Sequence, residues 1–468
     1  MKIELRDLGP IKQAELEIKD LTIISGANNS GKTYVSYTLC GFFLLWRQFI
    51  SFNTISRKIY SQLVTEGQAT IDPDSLLRST DKLLSEACLK YSEALHRILA
   101  GTSKHLEDNF FSYKTEDLKL LKTRRFEKTA TRAKKSIVRV SYEGGDNPIK
   151  INLLSDLSQI SDPHETARLA TDFLDQVLKD ELLAPVFPQV FIASAERTGA
   201  TIFQKELDIA RNRLIEKIGE SAGSSEIDLF RLAFQISNDY ALPVKQDIDF
   251  IRGVEGFSKE QSELIEQFPD ILDDFHNIIG GEYKITKNEG IRFIPKGTRG
   301  VKLTMGESSS AVRSLFNIGS YIRHKAAKGD LLIIDEPELN LHPENQRKVA
   351  RLIARLVNAG IKIFITTHSD YLIKELNTLI MLSADGEHFQ AVRDEEGYRS
   401  DETIEPNKLS VYQAAKRPCK FGDMKRAVSG MTLVSADINQ EQGIWIESFD
   451  QQIEEMDRIQ SKILYGND

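Results

Sequence analysis

Cysteine is scarce: Cys40, Cys88 and Cys419 are the only 3 in 468 residues, widely spaced, odd in number and without a metal-ligand pattern. Neither a disulfide framework nor a structural zinc is expected, and a reducing cytosol is. Long apolar runs are missing too. Val35 to Trp46 comes nearest, but it is too short to cross a bilayer and carries Ser36 and Thr38, so it reads as a buried helix and no membrane contact is expected. Positive charge is not in excess. A formal net charge of -8 argues against coating nucleic acid by bulk charge and leaves only a local basic patch open. Sustained heptads are absent, which removes long-arm tethering machines. The chain opens on the strand-like Met1 to Leu8, so no signal peptide is expected and a cytoplasmic location is.

What is present is an ordinary globular composition, 41% hydrophobic and 28% charged, with a buried core expected. Within it, Gly26-Ala27-Asn28-Asn29-Ser30-Gly31-Lys32-Thr33 follows the apolar run Leu21 to Ile24 and precedes a long helical pattern. This is a complete phosphate-binding loop, G-x-x-x-x-G-K-T. Gly26 and Gly31 let backbone N–H groups converge on phosphate oxygens, and a helix starting near Lys32 adds its positive dipole end. Lys32 is placed for the β- and γ-phosphates and the Thr33 hydroxyl for Mg²⁺, so ATP and Mg²⁺ are the expected cofactors.

Far downstream, Leu331 to Ile334 reads as a buried parallel strand ending in Asp335-Glu336. Carboxylates at that end of a strand face the ligand crevice of an open α/β sheet. Asp335 is expected to hold the metal opposite Thr33, and Glu336 to take a proton from the attacking water.

Pro337 to Pro343 and then Ile363-Phe364-Ile365-Thr366-Thr367-His368-Ser369 complete a pattern that resembles the ABC-type ATPase head. The resemblance implies an α/β fold, a mixed β-sheet lobe joined to a phosphate-loop parallel sheet. It implies that Asn340 sits in the loop that crosses a head-to-head dimer and that His368 is the switch residue for the γ-phosphate. Leu303 to Leu315 stands where such heads carry their signature turn. Here Ser308-Ser309-Ser310 replaces the usual glycine-containing turn, so contact with the neighbour's phosphate is expected through hydroxyls and turnover is expected to be slow. A plain serine N-cap is compatible with that. Val190 to Gly199 occupies the place of the glutamine loop without a glutamine. Glu196 is a candidate for the metal-facing role and Arg197 for sensing phosphate or holding the loop, with an internal Glu196-Arg197 ion pair as the alternative.

Five segments follow from this pattern: 1–48 with the phosphate loop, a mostly helical insertion over 49–185, a central segment 186–300, the second part of the head over 301–375, and C-terminal strands with a docking helix over 376–468. Helices are expected at Lys205 to Ile218, Ser258 to Ile279 and Trp445 to Leu464, a meander at Glu282 to Leu303 and short strands at Leu379 to Val392. The insertion carries a basic stripe, Lys119, Lys122, Arg124, Arg125, Lys128, Arg132, Lys134 and Lys135, which suits DNA phosphates, an acidic protein, or simply a solvated helix face.

Ile3 to Thr33, two strands with a Gly9-Pro10 turn and the phosphate loop, resembles the N-terminal lobe of the structural-maintenance-of-chromosomes and overcoming-lysogenisation-defect branches of these ATPases. Nuclease-bearing relatives in the latter branch carry a Toprim domain after the histidine strand, which needs an Asp-x-Asp, and none follows His368. The plan therefore looks like the stand-alone ATPase subunits of bacterial anti-phage systems, of the AriA (PARIS) and PtuA (Septu) kind. That resemblance implies self-association, a separately encoded effector such as a Toprim-type nuclease, and a phage trigger. A DNA-repair ATPase resembling the RecF mediator is the competing expectation.

Overall fold

A computed structural model of the protein describes residues 1–101, 108–132, 135–154, 163–202, 240–286, 290–419, 427–445 and 458–463. The helix expected at Lys205 to Ile218 lies outside them, as does most of the one expected after Trp445.

Strands β1 (Lys2–Leu8), β2 (Ile11–Glu17) and β3 (Leu21–Ser25) lead through the phosphate loop into helix α1 (Lys32–Phe49). Then come α2 (Asn53–Glu66), β4 (Gln68–Ile71), α3 (Pro73–Ile98), β5 (Phe110–Lys114), β6 (Phe126–Arg132), β7 (Lys135–Tyr142), β8 (Ile149–Leu153) and α4 (Pro163–Leu178). They are followed by β9 (Val190–Ala193), α5 (Leu242–Phe257), α6 (Asp270–Ile279), β10 (Gly281–Thr286), β11 (Gly290–Pro295), β12 (Leu303–Thr304), α7 (Ser310–His324) and β13 (Leu331–Asp335). The chain closes with α8 (Pro343–Asn358), β14 (Lys362–Thr367), α9 (Asp370–Met381), α10 (Glu387–Glu396), β15 (Leu409–Cys419), β16 (Val428–Ser435), β17 (Asp437–Asn439) and β18 (Gly443–Trp445). No helix among the described residues is long and apolar enough to cross a membrane.

These elements form two compact units, the first made of Met1–Glu4, Phe42–Ala94 and Asn109–Gln189, the second of Leu5–Gly41, Leu95–Asp108 and Val190–Asp468. In the first, α2, most of α3 and α4 accompany a four-stranded antiparallel sheet in the order β4-β8-β7-β6. Its core is aromatic: Phe42 meets Tyr91, Phe111, Tyr113 and Phe187, and Trp46 stacks on Phe187 with ring centroids 4.6 Å apart. The basic stripe is not a helix face. Lys119 and Lys122 lie on a short 3-10 turn, Asp117–Thr123, and Lys128 on the β6-β7 hairpin, where Thr and β-branched residues favour extended chain.

In the second unit a sheet runs β2-β16-β15-β3-β14-β13-β9. From β15 to β9 every strand lies parallel to its neighbour, with Leu21 beside Ile363 and Leu331 beside Lys362 and Val190. The apolar runs of β3, β13 and β14 are fully buried because a parallel sheet is covered on both faces. Removing one such side chain, as in Ile333→Ala, costs about 2–5 kcal/mol. The C-terminal strands enter the centre of this sheet: β15 pairs with β3 in register from Leu409 opposite Leu21 to Gln413 opposite Ser25. The region expected as short strands, Leu379 to Val392, is instead helical in α9 and α10. Leu372, Ile373, Leu376, Leu379 and Ile380 form a helical stripe there, and packing of that stripe prevails over local strand preference. The meander is present as β10-β11-β12.

Candidate functional site

Parallel pairing sets the carboxyl ends of β3, β14 and β13 side by side, with Ser25 opposite Thr367 and Thr366 opposite Asp335. The phosphate loop leaves β3 at this edge. Its glycines are required by space and by dihedral angle: Gly31 has φ 93°, and a Cβ on it would stand 2.8 Å from Ile11 Cγ1. A Cβ on Gly26 would stand 2.9 Å from that of Ala414, so β2 and β15 wall the loop. Asn28 and Asn29 are exposed at the loop's tip, and Asn29 adopts the left-handed conformation that Asn tolerates. Ser30 is buried, with no hydrogen-bond partner for its hydroxyl among the described residues.

Lys32 opens α1 and is buried, and its Nζ donates to the carbonyls of Gly26 at 2.8 Å and Ala27 at 2.9 Å. Burial lowers its pKa, while the charges of Glu336, Glu338 and Asp335 act the other way. The loop lysine and the acids of β13 thus share one electrostatic site.

Asp335 is 1% exposed; its Oδ1 accepts from Thr366 Oγ1 at 2.9 Å, and its Oδ2 has no hydrogen-bond partner among the described residues. Burial pushes its carboxyl up to about 7, opposed by the hydroxyls of Ser36 and Thr366 and by Arg197, with Glu196 adding to the rise. Among the described residues no three His, Cys, Asp or Glu side chains form a metal cage. Mg²⁺ is held by one or two carboxylates together with substrate phosphates and water. The buried Asp335 oxygen without a partner among the described residues, in the field of Lys32, fits such an ion.

Glu336 carries φ 50°, a conformation that costs a non-glycine residue about 1–2 kcal/mol. Its backbone is held on both sides, N–H donating to Thr366 O at 3.0 Å and carbonyl accepting from Arg197 Nη2 at 2.7 Å. His368 Nδ1 lies 3.5 Å from Glu336 Oε1 and 3.4 Å from Glu338 Oε1. Glu338 was missed by sequence reasoning. It is buried, accepts from Thr367 Oγ1 at 2.7 Å and from the His368 N–H at 2.9 Å, and so anchors the end of β14. Its only sequence signal was being the third acid of Asp-Glu-Pro-Glu.

The following turn puts Asn340 at the surface with φ 61°. Leu339 N donates to Glu336 O at 3.0 Å and Leu341 N to Glu338 O at 3.0 Å, which shapes that turn. In the serine turn the three residues separate. Ser308 is buried and its hydroxyl donates to Thr304 O at 2.8 Å, so it supports the turn from within. Ser309 caps α7 by accepting the Val312 N–H, and Ser309 and Ser310 form the exposed edge.

Glu196 and Arg197 do not pair with each other. The Tyr37 hydroxyl donates to Glu196 Oε2 at 2.5 Å, and Glu196 joins Thr33, Tyr34, Tyr37, Tyr240 and Val244 around a cavity of about 580 Å³. Arg197 is fully buried and turned inward. It donates to Ser194 O, Asp335 O, Glu336 O and Ser314 O at 2.8, 2.5, 2.7 and 2.7 Å. Of its expected roles, the geometry is that of holding the loop.

Among the described residues, three of the eight residues of the basic stripe lie near internal acids. Lys122 bridges Asp74 at 2.8 Å and Asp146 at 2.7 Å, and Lys128 lies 3.2 Å and Arg124 3.9 Å from Glu181.

Residues 1–373 match the family described as AAA ATPase domain. No curated protein matches the chain. Among solved structures, the chain is similar to an Smc head bound to the C-terminal winged-helix domain of ScpA: 13% identity, 93% of this chain and 97% of that one covered, TM-score 0.34. It is also similar to an Smc head with an extended coiled coil from Pyrococcus furiosus, at 12% identity, with 98% of each chain covered and TM-score 0.31. The Smc head from Thermotoga maritima gives 11% identity, 92% and 98% coverage and TM-score 0.30.

Proposed function

The chain belongs to the AAA ATPase domain family, and from that premise we propose that it is an ABC-like, Mg²⁺-dependent ATPase whose heads associate around ATP to control a separate effector. The observation that carries this reading is the meeting of Lys32 with Asp335, Glu336 and Glu338 at the carboxyl edge of one parallel sheet. Lys32 neutralises the β- and γ-phosphates, and the loop N–H groups from Gly26 to Thr33 cradle them. Thr33 and Asp335 hold Mg²⁺, which when bound offsets phosphate charge. Glu336 takes the proton of the attacking water, and His368 stands against the γ-phosphate. Ser309, Ser310 and Asn340 are exposed at turns and suit contact with a second copy. Serine in place of glycine keeps backbone farther from that phosphate, so turnover is slow.

The cellular role we propose is that of a cytoplasmic sensor and scaffold in bacterial anti-phage defence, releasing or activating a separately encoded nuclease or toxin when a phage trigger binds. ATP favours the closed pair by its differential affinity, and hydrolysis releases it. The test is Glu336→Gln in sedimentation velocity and phosphate-release assays. Hydrolysis is expected to vanish while ATP-dependent association persists. Unchanged turnover in that variant would take Glu336 out of the base role, and absence of ATP-dependent association in both proteins would remove the gating.

A further inference from the structure

We propose that Arg197 is a positioning residue that couples the acid pair of one nucleotide site to the serine turn that completes the neighbour's site. The inference rests on the ATP-gated pairing proposed above. One guanidinium joins three elements: its Nη1 donates to Ser194 O at the end of β9 and to Asp335 O, its Nη2 to Glu336 O, and its Nε to Ser314 O inside α7. The carbonyls of Asp335, which ends β13, and of Glu336 just after it belong to the residues proposed for metal and water.

Burying a full charge is expensive, and a hydrophobic side chain of similar volume packs such a space at lower cost. The chain keeps the charge, with Asp247, Asp335, Glu338 and Glu336 acting on it, and spends the donors on carbonyls that a hydrophobic residue cannot grip. A second tie runs in parallel. The Ser314 hydroxyl, shared between Ala311 O and Leu339 O at 3.0 Å each, brings α7 to the Leu339 end of the segment as Arg197 does to the Asp335 end. Helix α7 begins at the exposed Ser309-Ser310 edge, and most of its remaining length is buried, with Val312, Leu315, Phe316 and Ile318 in the core. A shift of the acid pair on engaging Mg·ATP is therefore carried along a rigid helix to the surface that meets the second copy. The element both sites bias is α7.

The test compares wild type, Arg197→Lys and Ser314→Ala in three measurements: affinity for a fluorescent ATP analogue with Mg²⁺, ATP-dependent association by sedimentation velocity, and kcat against KM. Lysine keeps the charge but cannot span all four carbonyls. Arg197→Lys is expected to hold nucleotide affinity within about threefold while kcat and ATP-dependent association fall about tenfold or more. Ser314→Ala is expected to move kcat in the same direction by less, and the double variant to lose less than the sum of the two. A merely structural arginine would lower binding and turnover together, in step with the folded fraction, and that result overturns the proposal. So does wild-type turnover in Arg197→Lys. Should that variant fail to fold, Ser314→Ala decides: lowered kcat at unchanged nucleotide affinity supports the coupling, and unchanged kcat removes it. Wild type that shows no association with ATP sinks the gating reading itself, a separate outcome from normal gating that survives loss of the arginine.

Discussion

Glu338 meets His368 at two points: its Oε1 accepts the His368 backbone N–H at 2.9 Å and lies 3.4 Å from Nδ1 of the same residue. With Glu336 Oε1 3.5 Å from that same Nδ1, the carboxylates on this side of the ring favour one orientation and leave the other nitrogen for a ligand. Glu338→Gln keeps an acceptor for the backbone but removes the charge from the ring. Turnover is expected to fall about tenfold with little change in nucleotide affinity, the pattern of lost ring orientation. Steady-state kinetics beside a binding titration check it. Equal losses in both would make Glu338 a support of the loop as a whole.

The phosphate loop has no room at Gly31. With φ 93° and Ile11 Cγ1 2.8 Å from the position of a Cβ, Gly31→Ala must move either the loop or β2. The variant is expected to keep the melting temperature within a few degrees and to lose nucleotide affinity by about a hundredfold. Trimming the obstacle, Gly31→Ala with Ile11→Ala, removes both Cγ1 and Cδ1 and should recover part of the affinity. No recovery would assign the loss to the dihedral angle alone.

Asp247 lies in the core and accepts from Ser194 N at 2.9 Å and Asn317 Nδ2 at 2.7 Å. Burial raises its pKa from 3.8 to about 6, outweighing those donors and Arg197. The folded state thus binds the proton more tightly than the unfolded chain, so this group's contribution to stability is largest below about pH 4. It declines as pH rises toward about 6 and is constant above that. Asp247→Asn removes this dependence, and Asn317, whose Oδ1 has no partner among the described residues, can flip to receive the new amide. Melting curves from pH 4.5 to 7.5 should show wild type losing ground to the variant as pH rises. A constant difference across that range would contradict the shift.

The carboxyl edge of the sheet was legible because phosphate chemistry fixes residue types and spacing: a Gly-Lys-Thr loop and a strand ending Asp-Glu leave few alternatives. Arg197 was visible as a residue but ambiguous in role, since a strand-end Arg reads alike whether it meets a phosphate or four carbonyls. The central place of β15 was not legible, because its pairing with β3 joins residues almost a whole chain apart and leaves no local trace. The hairpin bearing the basic stripe was obscured for a different reason: Lys and Arg at close intervals look the same on a helix and on a strand when the opposite face carries little apolar pattern.

That stripe also bears on the two roles expected at the outset. Lys122 is claimed by Asp74 and Asp146, and Lys128 and Arg124 stand near Glu181, so part of the charge that would release counterions from DNA is already compensated. Wild type is expected to bind duplex DNA weakly, with a shallow salt dependence and no stimulation of ATP turnover. Replacing both Asp74 and Asp146 by Asn frees one lysine and should steepen the slope of log affinity against log salt by about one. Fluorescence anisotropy across a salt series, with ATP turnover followed in parallel, measures both. Strong stimulation of the wild-type enzyme by duplex DNA would show that the stripe works despite its internal acids, and the repair-type clamp would then displace the effector-controlling scaffold.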